Sequence, residues 1–177
     1  YLDLNLVNIF NKGEEIKINW KNNSNNKQDF TLKTKISYLF NSKFSTEVSF
    51  NLYRSDSTFS NTNSRISLSY PINKNTDFSI LYKSEKSTNN IISNNVSSFD
   101  KKMIGFGVRY NSLNENQFNM GLNYSYGTRN TQVKTNQHLL NFNASILFKA
   151  SSNTQLYMQN KSSFLLSDSY LDNELFR

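Results

Sequence analysis

Apolar and polar residues alternate with a period of two along almost the whole chain, and the apolar ones keep the same parity from start to finish. Successive side chains of a strand point to opposite faces, so such runs give strands with one greasy and one polar face. In Glu15-Ile16-Lys17-Ile18-Asn19-Trp20-Lys21, the residues Ile16, Ile18 and Trp20 share one side, and the polar residues share the other. No helical period fits this pattern.

The alternation recurs in Leu2, Leu4 and Leu6; in Phe30, Leu32, Ile36, Tyr38 and Phe40; in Val48, Phe50 and Leu52; and in Ile66, Leu68 and Tyr70. It continues through Phe78, Ile80 and Tyr82; Ile104, Phe106, Val108 and Tyr110; and Phe118, Met120, Leu122, Tyr124 and Tyr126. Leu140, Phe142, Ala144, Ile146 and Phe148, then Leu156, Met158 and Phe164, complete ten predicted strands. Every one of these positions is even, so the greasy face survives each turn, as one continuous sheet demands. The strand charges, among them Lys17, Lys33, Lys35, Glu47, Arg65, Lys83, Arg109, Lys149 and Lys161, sit at odd positions, on a face expected to meet water.

The pattern predicts an all-β fold, an antiparallel up-and-down transmembrane β-barrel in which residues 1–177 form one partial barrel domain. The expected lipid-facing residues include Ile16, Ile18, Trp20, Leu32, Phe50, Leu68, Ile80, Phe106, Val108, Leu122, Phe142 and Ile146. Connections are expected to alternate in length. Short ones fall at 11–13, 41–43, 73–76, 113–116 and 150–153, and long ones at 22–27, 55–63, 86–101 and 129–136. Outer-membrane barrels combine short periplasmic turns with longer external loops. Phe10, Phe40, Phe44, Tyr70, Phe78, Tyr110, Phe118 and Phe148 flank the short turns on the even face, where an aromatic girdle at the periplasmic rim belongs. A soluble β-sandwich alternates in the same way, but its strands run to about 5 or 6 residues. Several runs here reach the ~9 to 11 residues needed to cross a bilayer at a tilt.

Composition narrows the functional classes. Only 36% of residues are hydrophobic, yet 14% are aromatic and these recur at regular intervals, which is unlike a disordered chain. The formal charge of +7 raises the question of nucleic acid. The basic residues are scattered through strands and loops with no basic helix or zinc-finger spacing, and no nucleic-acid partner is expected. No run approaches the ~18 apolar residues of a membrane-spanning helix. The opening Tyr1-Leu2-Asp3 has neither an initiator Met nor a leader pattern and reads as internal to a longer protein.

Catalytic signatures are not found. There is no Cys, and the single histidine, His138, has no base near it in sequence. Gly105-Phe106-Gly107 lacks the third glycine and the helix of a phosphate loop and reads as small lumen-facing residues within a strand. Asp168, Asp172 and Glu174 lack the spacing of a calcium loop and read as loop solvation. No enzyme activity, cofactor or metal is expected.

Three segments resemble a known family. Leu6-Val7-Asn8-Ile9-Phe10-Asn11-Lys12-Gly13-Glu14 resembles the Asn-Leu-Phe-Gly-x-Gly-type turn between early barrel strands of the BamA/TamA superfamily, the bacterial surface antigen family. Tyr38-Leu39-Phe40-Asn41-Ser42 resembles the aromatic end of that family's fourth strand, with Ser37 in place of a Pro. Asp172-Asn173-Glu174-Leu175-Phe176-Arg177 is similar to the approach to its sixth external loop, without the Arg-Gly-Phe/Tyr motif itself. The resemblance implies strands two to eleven of a sixteen-stranded barrel in the bacterial outer membrane. It also implies a protein that inserts other outer-membrane proteins or exports polypeptides, with lipid, client chains and assembly lipoproteins as partners. The family's POTRA domains and closing strands lie outside this segment. From the residues alone, a passive channel or structural barrel is the alternative, since the Lys and Arg of the odd face could favour anions in a pore.

Overall fold

The computed structural model describes residues 1–23, 27–55, 58–89, 98–112, 117–149, 151 and 154–170. Among them are ten strands: β1 (Leu2–Val7), β2 (Glu15–Asn23), β3 (Lys27–Ile36), β4 (Ser45–Ser55), β5 (Phe59–Pro71), β6 (Thr76–Asn89), β7 (Phe99–Ser112), β8 (Gln117–Asn130), β9 (Lys134–Lys149) and β10 (Gln155–Ser167). They form one antiparallel meander in sequence order. Each strand pairs with its neighbours in the chain, and β1 and β10 are the two edges of an open sheet among the described residues.

The register explains why parity is kept. Leu4 stands opposite Ile18, Leu32 opposite Phe50, Leu68 opposite Ile80, Phe106 opposite Tyr124 and Leu122 opposite Phe142, so even residues meet even residues in every ladder. Side chains directly opposite one another share a face, and the period-two pattern therefore aligns across the whole sheet.

The ladder also has a slant. A line followed straight across it from Leu4 passes Ile18, Leu32 and Phe50, within the apolar run of each strand, and then Ser64, Ser84, Lys102, Thr128 and Asn136. Those later residues lie beyond the apolar runs, which drift toward the rim carrying the 72–75 turn. On β9 the run is centred on Ala144, so the drift averages about one residue per strand across β1 to β9. With ~3.3 Å per residue and ~4.8 Å between strands, the strands lean roughly 35° from the normal of the apolar belt.

The sheet is curled, with its odd face inward. Lys33 of β3 and Leu139 of β9 line the same cavity, which requires distant strands to come round toward one another. Glycine permits the tightest bending. A Cβ on Gly127 would lie 1.9 Å from the Lys102 carbonyl oxygen, and one on Gly105 would lie 2.2 Å from that of Tyr124. Both positions are inward-facing, where the backbones of β7 and β8 close up.

Three expectations need correcting. The third strand does not run on to Phe40 but ends at Ile36, because Tyr38, Phe40 and Asn41 take φ values of 57°, 53° and 58° and Leu39–Asn41 form a single 3-10 turn. The Leu39 N–H donates to the Phe44 carbonyl at 2.8 Å, and the Ser42 hydroxyl donates to the Leu39 carbonyl at 2.6 Å. These bonds offset left-handed conformations that cost L-residues about 1 kcal/mol each.

The expected alternation of loop lengths also fails. β4 ends at Ser55 and β5 begins at Phe59, while β8 ends at Asn130 and β9 begins at Lys134. Segments 55–63 and 129–136 are mainly paired strand, because the backbone ladder continues where the hydrophobic alternation stops. Finally, the odd face is not simply the wet one. Leu81 is 1% exposed and Gln137 0%, with Ser67, Phe99, Met103, Ser125 and Thr135 also buried, because curling packs inward side chains of β5 to β9 together.

Candidate functional site

The convex face carries the apolar surface. Ile104 is 62% exposed and Phe106 53%; Trp20, Leu68, Ile80, Val108 and Leu122 are exposed as well. Ile16, Ile18, Leu32, Phe50, Phe142 and Ile146 are half-buried by their neighbours within the sheet. All twelve expected apolar residues thus lie on one face, and none is sealed in a core. In water, covering a large apolar side chain is worth about 1.5 to 3 kcal/mol. A bare row of this length is therefore a strong drive toward an apolar phase or partner surface.

The rim carrying the 72–75 turn gathers the expected aromatics. Tyr70 and Phe78 stand opposite one another at the 72–75 turn, Phe44 lies 5.0 Å from Tyr70 between ring centroids, and Tyr110 lies 6.3 Å from Phe118. Phe148 is near the end of β9. Phe10 and Phe40 stand on turns, and Phe40 is 93% exposed, projecting away from the sheet.

The first of these turns, residues 8–14, is built around a buried carboxylate. Glu14 accepts the backbone N–H groups of Phe10 and Lys12, the latter at 3.0 Å, while Asn8 accepts the Gly13 N–H on its side-chain oxygen at 3.0 Å. The Phe10 N–H, then the other backbone donors and the Lys12 charge, hold the Glu14 carboxyl below its usual range against the opposing effect of desolvation.

A second aromatic row, not anticipated from the sequence, borders the belt on its other side. Trp20 faces Phe30 across β2 and β3, Tyr126 faces His138 across β8 and β9 with ring centroids 4.9 Å apart, and Tyr82 lies in line on β6. The Tyr124 hydroxyl is 2.7 Å from His138 Nδ1, so the single histidine belongs to this cluster. Its signal was present in the sequence, since each of these rings ends an even-numbered run at the end away from the rim carrying the 72–75 turn. Between Phe118 and Tyr126 on β8, the apolar run measures roughly 22 Å along the belt normal.

The concave face holds a cavity of about 420 Å³. Its charged lining comprises Lys33, Arg65, Lys83 and Lys101 with Glu47 and Glu85, interspersed with Ser49, Asn51 and Asn63. A second recess of about 250 Å³ continues toward the rim carrying the 72–75 turn, past Lys35, Lys43, Asp77 and Arg109, with Glu47 bordering both. Together they make a polar trough of mixed charge along the inside of the sheet.

Comparison with family models, curated proteins and solved structures finds no match to this chain.

Other sequence candidates are dispersed. Gly105 and Gly107 are buried inward-facing strand residues. Asp168 follows β10, exposed, while Asp172, Glu174 and the rest of 172–177 lie outside the described residues. At that end Arg129 is 1% exposed and donates to the Ser169 hydroxyl at 2.8 Å and carbonyl at 3.1 Å, tying β8 to the segment after β10.

Proposed function

We propose that this chain is part of the wall of a bacterial outer-membrane β-barrel, with its convex face against lipid and its concave face lining a water-filled interior. The observation that carries the reading is the inverted burial. Large apolar side chains such as Ile104 and Phe106 point outward while Gln137, Ser125 and Arg129 are sealed inside. Hydrocarbon solvates such an outer face at no cost, and lipid-facing strands of this kind alternate apolar-out and polar-in. The roughly 35° lean, the roughly 22 Å belt and the aromatic rows on both of its borders support the same reading, since barrel strands tilt ~35 to 45° and their apolar band is ~25 Å tall between two girdles. Open edges in hydrocarbon would leave backbone groups unsatisfied at several kcal/mol each. On this reading, further strands beyond β1 and β10 complete the ring.

The turn resemblances extend the proposal to a barrel of the BamA/TamA kind, which assembles other outer-membrane proteins or translocates polypeptides. Its partners would be client chains and assembly lipoproteins, with POTRA domains elsewhere in the same protein. The Phe10 turn, pinned by Glu14, and the Phe40 turn carry this extension. The test is depletion of the parent protein, followed by measurement of outer-membrane protein levels. A general fall in assembled barrels supports the reading.

The charged trough favours a second reading, a passive channel. Conductance in planar bilayers with barrel assembly unaffected would establish it. A protein that stays soluble without detergent, with Phe106→Trp fluorescence reporting a dry protein core, would remove both readings.

A further inference from the structure

Like charges directly opposite on one face of a sheet repel, and one transverse row of this sheet carries two such pairs, the first being Lys17 opposite Lys33. Arg65 and Lys83 are the second, cross-strand partners on the inward face of β5 and β6. Lys33 lies on the same transverse row, two strands from Arg65 with Ser49 between them. Among the described residues, no ion pair is seen for Arg65 or Lys83, whereas Lys101 stands directly opposite Glu85. The row opens into the cavity of about 420 Å³, which also receives Lys101, so its charged lining carries four cations against two carboxylates.

We propose that this row binds a phosphoryl dianion, with Arg65 and Lys83 as its principal contacts. Partners directly opposite in a ladder have Cα atoms ~4.5 to 5.5 Å apart, so one doubly charged oxyanion can bridge both heads, replacing their repulsion with two charge-assisted hydrogen bonds. A guanidinium supplies a planar fork of donors and an ammonium a mobile point charge, a pair suited to a tetrahedral anion. Ser49 and Asn63 add neutral donors beside it. The cavity lies within the ~300 to 1,000 Å³ span of small-molecule sites, so it has room for a phosphate ester as well as free phosphate. Glu47 and Glu85, at the margins of the row, accept hydrogen bonds from hydroxyl groups and disfavour a ligand that is anionic at both ends.

This inference rests on the concave face being the water side of the barrel, and the experiment separates the two claims. In the full protein folded into detergent micelles, Asn51→Cys is first treated with a membrane-impermeant maleimide; failure to label it denies the water-side assignment. Inorganic phosphate, glucose 6-phosphate and glucose are then titrated while ³¹P line widths and thermal unfolding are followed. Both phosphorylated probes are expected to bind and glucose to be inert; tighter binding of the ester identifies an esterified ligand, and equal binding identifies free phosphate. Lys83→Met should weaken binding on the order of tenfold or more while the protein still folds, with Lys83→Arg restoring it. Labelling at Asn51→Cys with no phosphate binding, or with binding indifferent to Lys83→Met, overturns the site and leaves the barrel reading intact.

Discussion

Single positions on this sheet are constrained by direction more than by residue type. Val108 stands opposite Phe78 and Leu122, and Leu122 is the middle of the five-residue apolar run of β8. If the convex face meets lipid as proposed, Val108→Lys should destabilise the protein in bilayers by about 2 to 4 kcal/mol, while Arg109→Ser beside it is mild. Urea unfolding from vesicles measures both, and equal tolerance at the two sites would contradict the facing assignment. Gly127 is constrained by space, since any side chain would enter the backbone of β7 at Lys102 and Met103. Gly127→Val is expected to cost at least about 1 to 3 kcal/mol in the same assay. The outward face was legible in the sequence because alternation is a local signal. The buried Arg129 was not, since its environment is created by Ser169, forty positions away in the chain and beyond any pattern window.

At the level of elements, strand existence and strand order could be read directly, and strand ends could not. The alternation in Ile36, Tyr38 and Phe40 looks like continued strand, yet Tyr38 and Phe40 turn left-handed because backbone and Ser42 hydrogen bonds close a tight turn there. Conversely, polar stretches such as 129–136 look like loops but are largely paired, since the ladder needs only backbone groups. The Phe10 turn makes an acid-sensitive prediction. Glu14 has its carboxyl held below the ordinary value of 4.5, so its contribution is present above that range and is lost as pH falls through the lowered folded value. Amide exchange at Phe10 and Lys12, compared with distant strand amides, should lose protection selectively as pH falls below about 4.5. Glu14→Gln should remove that pH dependence and leave the ten-strand ladder intact.

For the molecule as a whole, the proposed barrel stands or falls on whether the convex side of the sheet meets lipid. Phe106→Trp in vesicles should be quenched strongly by lipids brominated on their acyl chains, whereas Leu81→Trp, on the opposite face, should be quenched weakly. Comparable quenching at both positions would contradict a two-sided wall. The one-sheet architecture was readable because parity held across every turn, and an inward-curled odd face was part of the expected barrel, but the close backbone approach at the inward glycines of β7 and β8 was not readable. That shared parity makes the chain resemble a text written in a two-letter reading frame. Deleting one residue inside a strand would move lysines to the convex apolar face and phenylalanines to the concave polar one from that point to the next compensating change. Length changes during divergence should accordingly collect in the connections, or come in pairs.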